Sequence, residues 1–255
     1  MKRLVVFIIF ALLLSSESRG DTPMELSVTI ASTASSQLEL ARNLSLRVAS
    51  AINEEERHRL TIEAIASFQA VVRYWPQESS AVVAAGLAQG DLWLSLRAGQ
   101  NAVDVLERLI PIVKNHESYA PLYRRLGKAY EILNRADDAA MAFDRAAADA
   151  SLATNPLLAL AVYRDAARMY ERAGRPRTAA VRYRALAANQ RISPTSRALA
   201  AIDAANAGMV AGDRAAARRD VAEGKRLVAE ARRKDPKVAL QQLEDELHRL
   251  ERDLD

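Results

Sequence analysis

Val, Ile and Thr nowhere alternate with polar residues long enough for a strand, except around Leu26–Ile30. The recurring spacing is helical. Leu240, Leu243, Leu247, Leu250 and Leu254 lie 3, 4, 3 and 4 positions apart, which makes one apolar stripe on a terminal helix after Pro236. Two stretches in the middle of the chain share a finer pattern. "YRRLGKAYE" from Tyr123 stands over "YRDAARMYE" from Tyr163, with every matched position 40 residues apart. Tyr130 matches Tyr170, Ala139 matches Ala179, and Phe143 matches Tyr183. Between the halves, Asp137 suits an N-cap, Gly174 a C-cap, and Pro176 the first turn of a new helix. Each copy therefore predicts a helix–turn–helix hairpin.

The copy at Tyr123, Leu126, Gly127, Tyr130, Ala139, Phe143 and Ala146 resembles the tetratricopeptide repeat and lacks only its closing Pro. Gly or Ala in the first helix lets a neighbouring helix approach closely, and larger residues fill what remains. Weaker copies fit the same template. Gly90, Trp93, Ala102, Leu106 and Leu109 make one, with Gly99 near its turn. Ala64, Phe68, Val71 and Pro76 fit a second helix, with residues 35–53 available as the first. Ala204, Ala205, Gly212, Ala217 and Val221 make a degenerate last one. Successive copies lie 38, 37, 40 and 38 residues apart. The resemblance implies an all-α, right-handed solenoid of about five hairpins over residues 36–235. Residues 237–255 would form a capping helix over its last face; the other use of the leucine stripe is a short coiled coil that makes a homodimer.

The N-terminus reads as an address. Lys2 and Arg3 precede the apolar run Leu4–Leu14, and Ser15, Ser16, Ser18 and Gly20 follow. Basic start, short apolar stretch and small residues are the parts of a cleaved signal peptide, here residues 1–20 with the cut after Ser18 or Gly20. Eleven apolar residues span about 16 Å as a helix, roughly half a bilayer core, so no permanent membrane anchor is expected. Residues 21–35 read as a flexible leader. The expected location is a bacterial periplasm or the exterior.

Composition narrows the chemistry. Half of the 255 residues are hydrophobic, only 5% are aromatic, and there is no Cys. The missing Cys removes disulfides, thiol catalysis and thiolate metal sites. The net charge of +4 falls to +2 once Lys2, Arg3 and Arg19 leave with Glu17, so nucleic acid is not an expected partner. His58, His116 and His248 have no metal-ligand spacing, and no phosphate-binding glycine loop or nucleophile elbow is present. Glu54-Glu55-Glu56 after Asn53 reads as helix capping. No cofactor, metal or catalytic residue is expected.

What stands out is charge. Arg124, Lys128 and Glu131 recur as Arg164, Arg168 and Glu171, each trio on one helical face. In proteins with this repeat, such first-helix positions line the concave side and touch a bound segment. The resemblance thus assigns Arg124, Lys128, Glu131, Arg164, Arg168 and Glu171 to a partner-binding groove. Leu87, Asp91 and Leu94 extend it on one side, and Ile202, Asn206 and Met209 on the other. The expected partner is a protein or peptide with acidic residues. The alternative for these charges is a solvated face in which Lys128–Glu131 and Arg168–Glu171 are helix-supporting pairs. The alternative for the whole chain is a self-associating scaffold.

Overall fold

The computed structural model describes residues 9–10, 26–113, 117–148 and 156–255. The chain divides into two compact units, residues 1–114 and 115–255. Apart from Ile9 and Phe10, the expected signal peptide lies outside the described residues.

Unit 1 begins with a two-residue ladder, Ile9–Phe10 (β1) antiparallel to Leu26–Ser27 (β2). Four helices follow: α1 (Ala34–Ala49), α2 (Glu54–Tyr74), α3 (Ser79–Ser95) and α4 (Gly99–Glu107), with a short α5 (Ile110–Val113). Part of the expected leader is tied down, because Val28 is buried and the Ala31 N–H donates to Gln37 Oε1 at 2.7 Å. Asn53 caps α2 as expected, accepting from the Glu56 N–H at 2.8 Å, while Glu56 returns a carboxylate to the Ile52 N–H at 3.0 Å. Three glutamates in the first turn and Arg73 in the last both suit the helix dipole. Ala34, Leu38 and Ala41 of α1 pack on Phe68 and Val71 of α2 and Ala85 of α3.

Unit 2 holds three hairpins: α6 (Tyr119–Ile132) with α7 (Ala136–Ala147), α8 (Pro156–Arg172) with α9 (Pro176–Ala187), and α10 (Pro194–Val210) with α11 (Arg214–Lys234). A last helix, α12 (Gln241–Leu254), packs on α10 and α11. Pro176 and Pro194 start their helices, where a missing N–H costs nothing. Asp137 does not cap α7. That position is Arg135, which makes no side-chain cap, and Asp137 sits one residue inside the first turn.

Four of the hairpin turns are one structure. Arg97, Asn134, Gly174 and Gly212 all have positive φ, and each is followed by a residue whose N–H reaches five positions back: Ala98 to Trp93, Arg135 to Tyr130, Arg175 to Tyr170, and Asp213 to Gly208. This is the Schellman ending, in which a left-handed residue lets the chain fold back on the carbonyls of the last helical turn. Gly174 is therefore the helix stop that the sequence predicts. At the α3–α4 turn the left-handed residue is Arg97, and Gly99 lies inside α4, buried.

The repeat's small residues are explained by distance. A Cβ on Gly127 would stand 2.6 Å from the Phe143 ring, and one on Gly90 2.6 Å from Leu106. First and second helices of a hairpin thus touch backbone to side chain, and no larger residue fits. Leu126, Ala139, Phe143, Ala146, Tyr170, Ala179 and Tyr183 are all buried, and Tyr130 is half-buried beneath the Arg135 guanidinium. The leucine stripe is spent on the chain's own core. Leu240, Leu247, Leu250 and Leu254 are buried against α10 and α11, with Leu243 packed at the edge. It caps the last hairpin, and the alternative use of the stripe, a homodimer through these leucines, meets a face that the chain's own core already covers.

Candidate functional site

The first helices of unit 2 carry the predicted charges, and α8 beside α6 brings Lys128 and Glu131 of the first trio to Arg168 of the second, with Asp165 between them. Lys128 Nζ lies 3.2 Å from Glu131 and 3.1 Å from Asp165, and Arg168 lies 3.1 Å from both carboxylates. Arg172 adds a third cation 3.6 Å from Glu131. The burial is graded. Asp165 and Glu131 are 18% and 23% exposed, whereas Lys128, Arg172 and Arg168 are 35%, 45% and 50% exposed. The carboxylates lie beneath and the cations above, so an approaching group meets three positive charges held in place from below.

One of the two expected pairs changes here. Lys128–Glu131 is the expected pair, but Arg168 turns to Glu131 and Asp165 instead of Glu171. Glu171 accepts from the Tyr183 hydroxyl at 3.2 Å, and loss of solvation pushes its carboxyl pKa up. Arg124 is exposed and forms no ion pair among the described residues. Arg164 is also exposed and acts electrostatically on Asp203 and Tyr183. Asp203 is pushed up to about 6, chiefly by burial; Arg164 opposes this, while Glu171 and Glu246 reinforce it. Burial and the Glu171 and Asp203 carboxylates likewise raise Tyr183.

The apolar flank on α10 is smaller than expected. Ile202 is 3% exposed and belongs to the core, because α12 and α11 cover that side of the helix. Met209 packs against the same core, leaving half-buried Asn206 as the α10 contribution. Leu87, Asp91 and Leu94 lie on α3 of unit 1, with Asp91 exposed and the leucines half-buried.

The second helices of unit 2 carry a structural network. Asp144 of α7 accepts two hydrogen bonds at 2.7 Å from the Arg182 fork on α9 and a third at 2.7 Å from Tyr170. Arg184 of α9 grips Asp220 of α11 in the same forked way at 2.8 and 2.9 Å. Both carboxylates are largely covered, and each fork joins successive hairpins. The partners stand 38 and 36 residues apart, about one repeat, and that spacing of opposite charges was the signal in the sequence.

Among the described residues no group of three or more His, Asp and Glu is placed to hold a metal ion. His58 and His248 are both exposed, on α2 and α12, and His116 lies outside the described residues. Among the described residues no helix is long and apolar enough to cross a membrane.

No family model and no curated protein matches the chain. Solved structures do. Nearly identical TPR-like repeats from Podosopora anserina share 19% identity, covering 80% of this chain and all of theirs with a TM-score of 0.55. YrrB, a TPR protein with an unusual peptide-binding site, shares 15% identity over 76% of this chain and 86% of its own, with a TM-score of 0.53. MamA shares 16% over 81% and 98%, with a TM-score of 0.52. The fold is that of the tetratricopeptide-repeat proteins, and at these identities the likeness is one of fold.

Proposed function

We propose that the chain is a non-catalytic protein-binding module of the bacterial cell envelope. In this reading it holds an acidic segment of a partner on the first-helix face of unit 2. The observation that carries this is the layering of the charge network. Lys128, Arg168 and Arg172 lie above Glu131 and Asp165 and outnumber them three to two, and Arg124 on the same helix as Lys128 forms no ion pair among the described residues, so the face keeps a net positive charge. Carboxylates from a partner would meet guanidinium forks already oriented, which lowers the entropy cost of pairing. That YrrB has a peptide-binding site on this fold supports a peptide as the ligand class. The envelope assignment rests on the basic and apolar N-terminal segment.

A scaffold that self-associates through the leucine stripe is disfavoured, because α10 and α11 already cover that stripe. The test is capture from envelope extract with the chain from Asp21 onward, at low and high salt. A protein released as salt rises supports the cationic face, since screening weakens exposed pairs. A bait that captures nothing and elutes as a dimer would overturn the module in favour of the scaffold.

A further inference from the structure

The second helices of unit 2 present a side of their own, distinct from the first-helix face. Ala139, Ala179 and Ala217 hold one repeat position, 40 and 38 residues apart, and all three are fully buried. Two residues further on, about 200° round each helix, stand Met141, Val181 and Arg219. These point outward from α7, α9 and α11: Met141 is 50% exposed, Val181 51%, and Arg219 is exposed as well. Among the described residues unit 2 exposes three large apolar side chains, and two of them stand in this row. The forks Asp144–Arg182 and Arg184–Asp220 hold the three helices side by side, so the row is continuous.

At Arg219 the row passes into charge. α11 carries eight Arg and Lys against three carboxylates, an excess above the +4 of the whole chain. Six of its cations form two parallel stripes in which each residue lies seven positions, two helical turns, from the next. Arg218, Lys225 and Arg232 make the first, and α12 uses all of it. Arg218 donates to the Leu254 carbonyl, Lys225 to Glu251 at 2.6 Å, and Arg232 to Glu244. Arg219, Arg226 and Arg233 make the second, which has no ion pair to another helix among the described residues. Arg226 is held by Glu223 and Glu230 of its own helix at 2.7 and 3.5 Å, while Arg219 and Arg233 are exposed and form no ion pair among the described residues. This second stripe runs about 21 Å along α11. On α9, Arg177 stands one turn from Val181, exposed and likewise without an ion pair among the described residues.

We infer that this side of unit 2 rests on an anionic phospholipid surface, with Arg177, Arg219, Arg226 and Arg233 on the headgroups and Met141 and Val181 set between them. Charge complementarity selects the occupant. A single acidic segment meets one row of cations, whereas these occupy two neighbouring helices, and a layer of lipid headgroups offers negative charge in two dimensions. Guanidinium forks match phosphate oxygens, and Arg219 and Arg233 have no carboxylate to give up before they turn to one. Apolar side chains among cations are the means by which a surface seats itself at the headgroup level. The contact is peripheral, since no described helix is long and apolar enough to cross a membrane. It leaves the first-helix face of α6 and α8 open to a partner, and either surface can fail without the other.

The test sediments the chain from Asp21 onward, which keeps all of unit 2, with vesicles of phosphatidylcholine alone or mixed equally with phosphatidylglycerol. Binding to the mixed vesicles and not to the neutral ones is expected, and it should fall as salt rises. Each cation near the surface is worth about fivefold, so Arg219→Gln with Arg233→Gln should weaken binding about twentyfold. The melting temperature should not move, because neither arginine has an ion pair to lose among the described residues. Val181→Ser should give a smaller loss that salt does not screen. Arg168→Gln with Arg172→Gln, on the first-helix face, should bind the vesicles as the unmutated chain does. Equal binding by the Arg219, Arg233 variant, or a loss confined to the Arg168, Arg172 variant, would overturn the assignment. Full competition by soluble glycerol phosphate would overturn the surface in favour of a discrete anion site. No binding to the mixed vesicles, with an acidic envelope protein captured through Arg219 and Arg233 instead, would overturn the lipid in favour of a protein.

Discussion

The second helices of the two units solve the same packing problem differently. In unit 2, α7, α9 and α11 run unbroken and are bolted together by Asp144–Arg182 and Arg184–Asp220. In unit 1, α4 is cut short by Pro111, and an apolar cavity opens beside it. The first-helix faces differ as well. That of α6 and α8 is saturated with charge, whereas α3 offers Leu87, Asp91 and Leu94. The difference teaches that this repeat fixes where helices meet and leaves their outward surfaces free. Gly90 and Gly127 make the same close contact in both units, while everything beyond that contact diverges.

The largest expected effect is on that shared contact. Gly127→Leu drives a side chain into the Phe143 ring and should destabilise unit 2 by about 3 kcal/mol, read as a lowered melting temperature. An unchanged melt would mean that the repeat register is wrong. Next comes the bolt. Asp220→Ala leaves the Arg184 fork without its acceptor, and because Arg184 is 36% exposed the loss should be about 1.5 kcal/mol. Arg184→Ala in the same background should then add little, since the pair is already broken; full additivity would deny the coupling.

The smallest effect depends on pH. Asp203 titrates near 3.8 when unfolded and about 6 when folded, so the folded chain holds the extra proton in between. Stability contributed by this group therefore falls as pH rises from about 4 to about 6 and stays reduced above that. Asp203→Asn should stabilise the protein by about 1 kcal/mol at pH 7.5 and barely at pH 4. An equal change at both pH values would assign the effect to packing instead of ionisation.

Local signals were legible in the sequence, and contacts between repeats were not. Gly127, Phe143 and Gly174 could be placed because each answers to its own hairpin: a close approach, its filler and a left-handed turn. Asn134 and Arg97 hold the same left-handed position without glycine, so composition did not mark them. Asp165 was missed because its partners come from the stacking of α8 on α6, and only Arg168 lies on its own helix. The leucine stripe announced an apolar face but not its cover, since a helix of the same chain and a second copy ask for the same leucines.

The central claim is that the first-helix face of unit 2 binds a partner through cations held in place by their own carboxylates. Its most direct test is envelope capture with the unmutated chain beside the Arg168→Gln, Arg172→Gln double variant, each checked by thermal melting. The account predicts that the captured partner falls about tenfold in the variant while the melting temperature drops only slightly, because these half-exposed pairs contribute little to stability. Equal capture by the two chains would contradict it and move the binding surface elsewhere on the molecule.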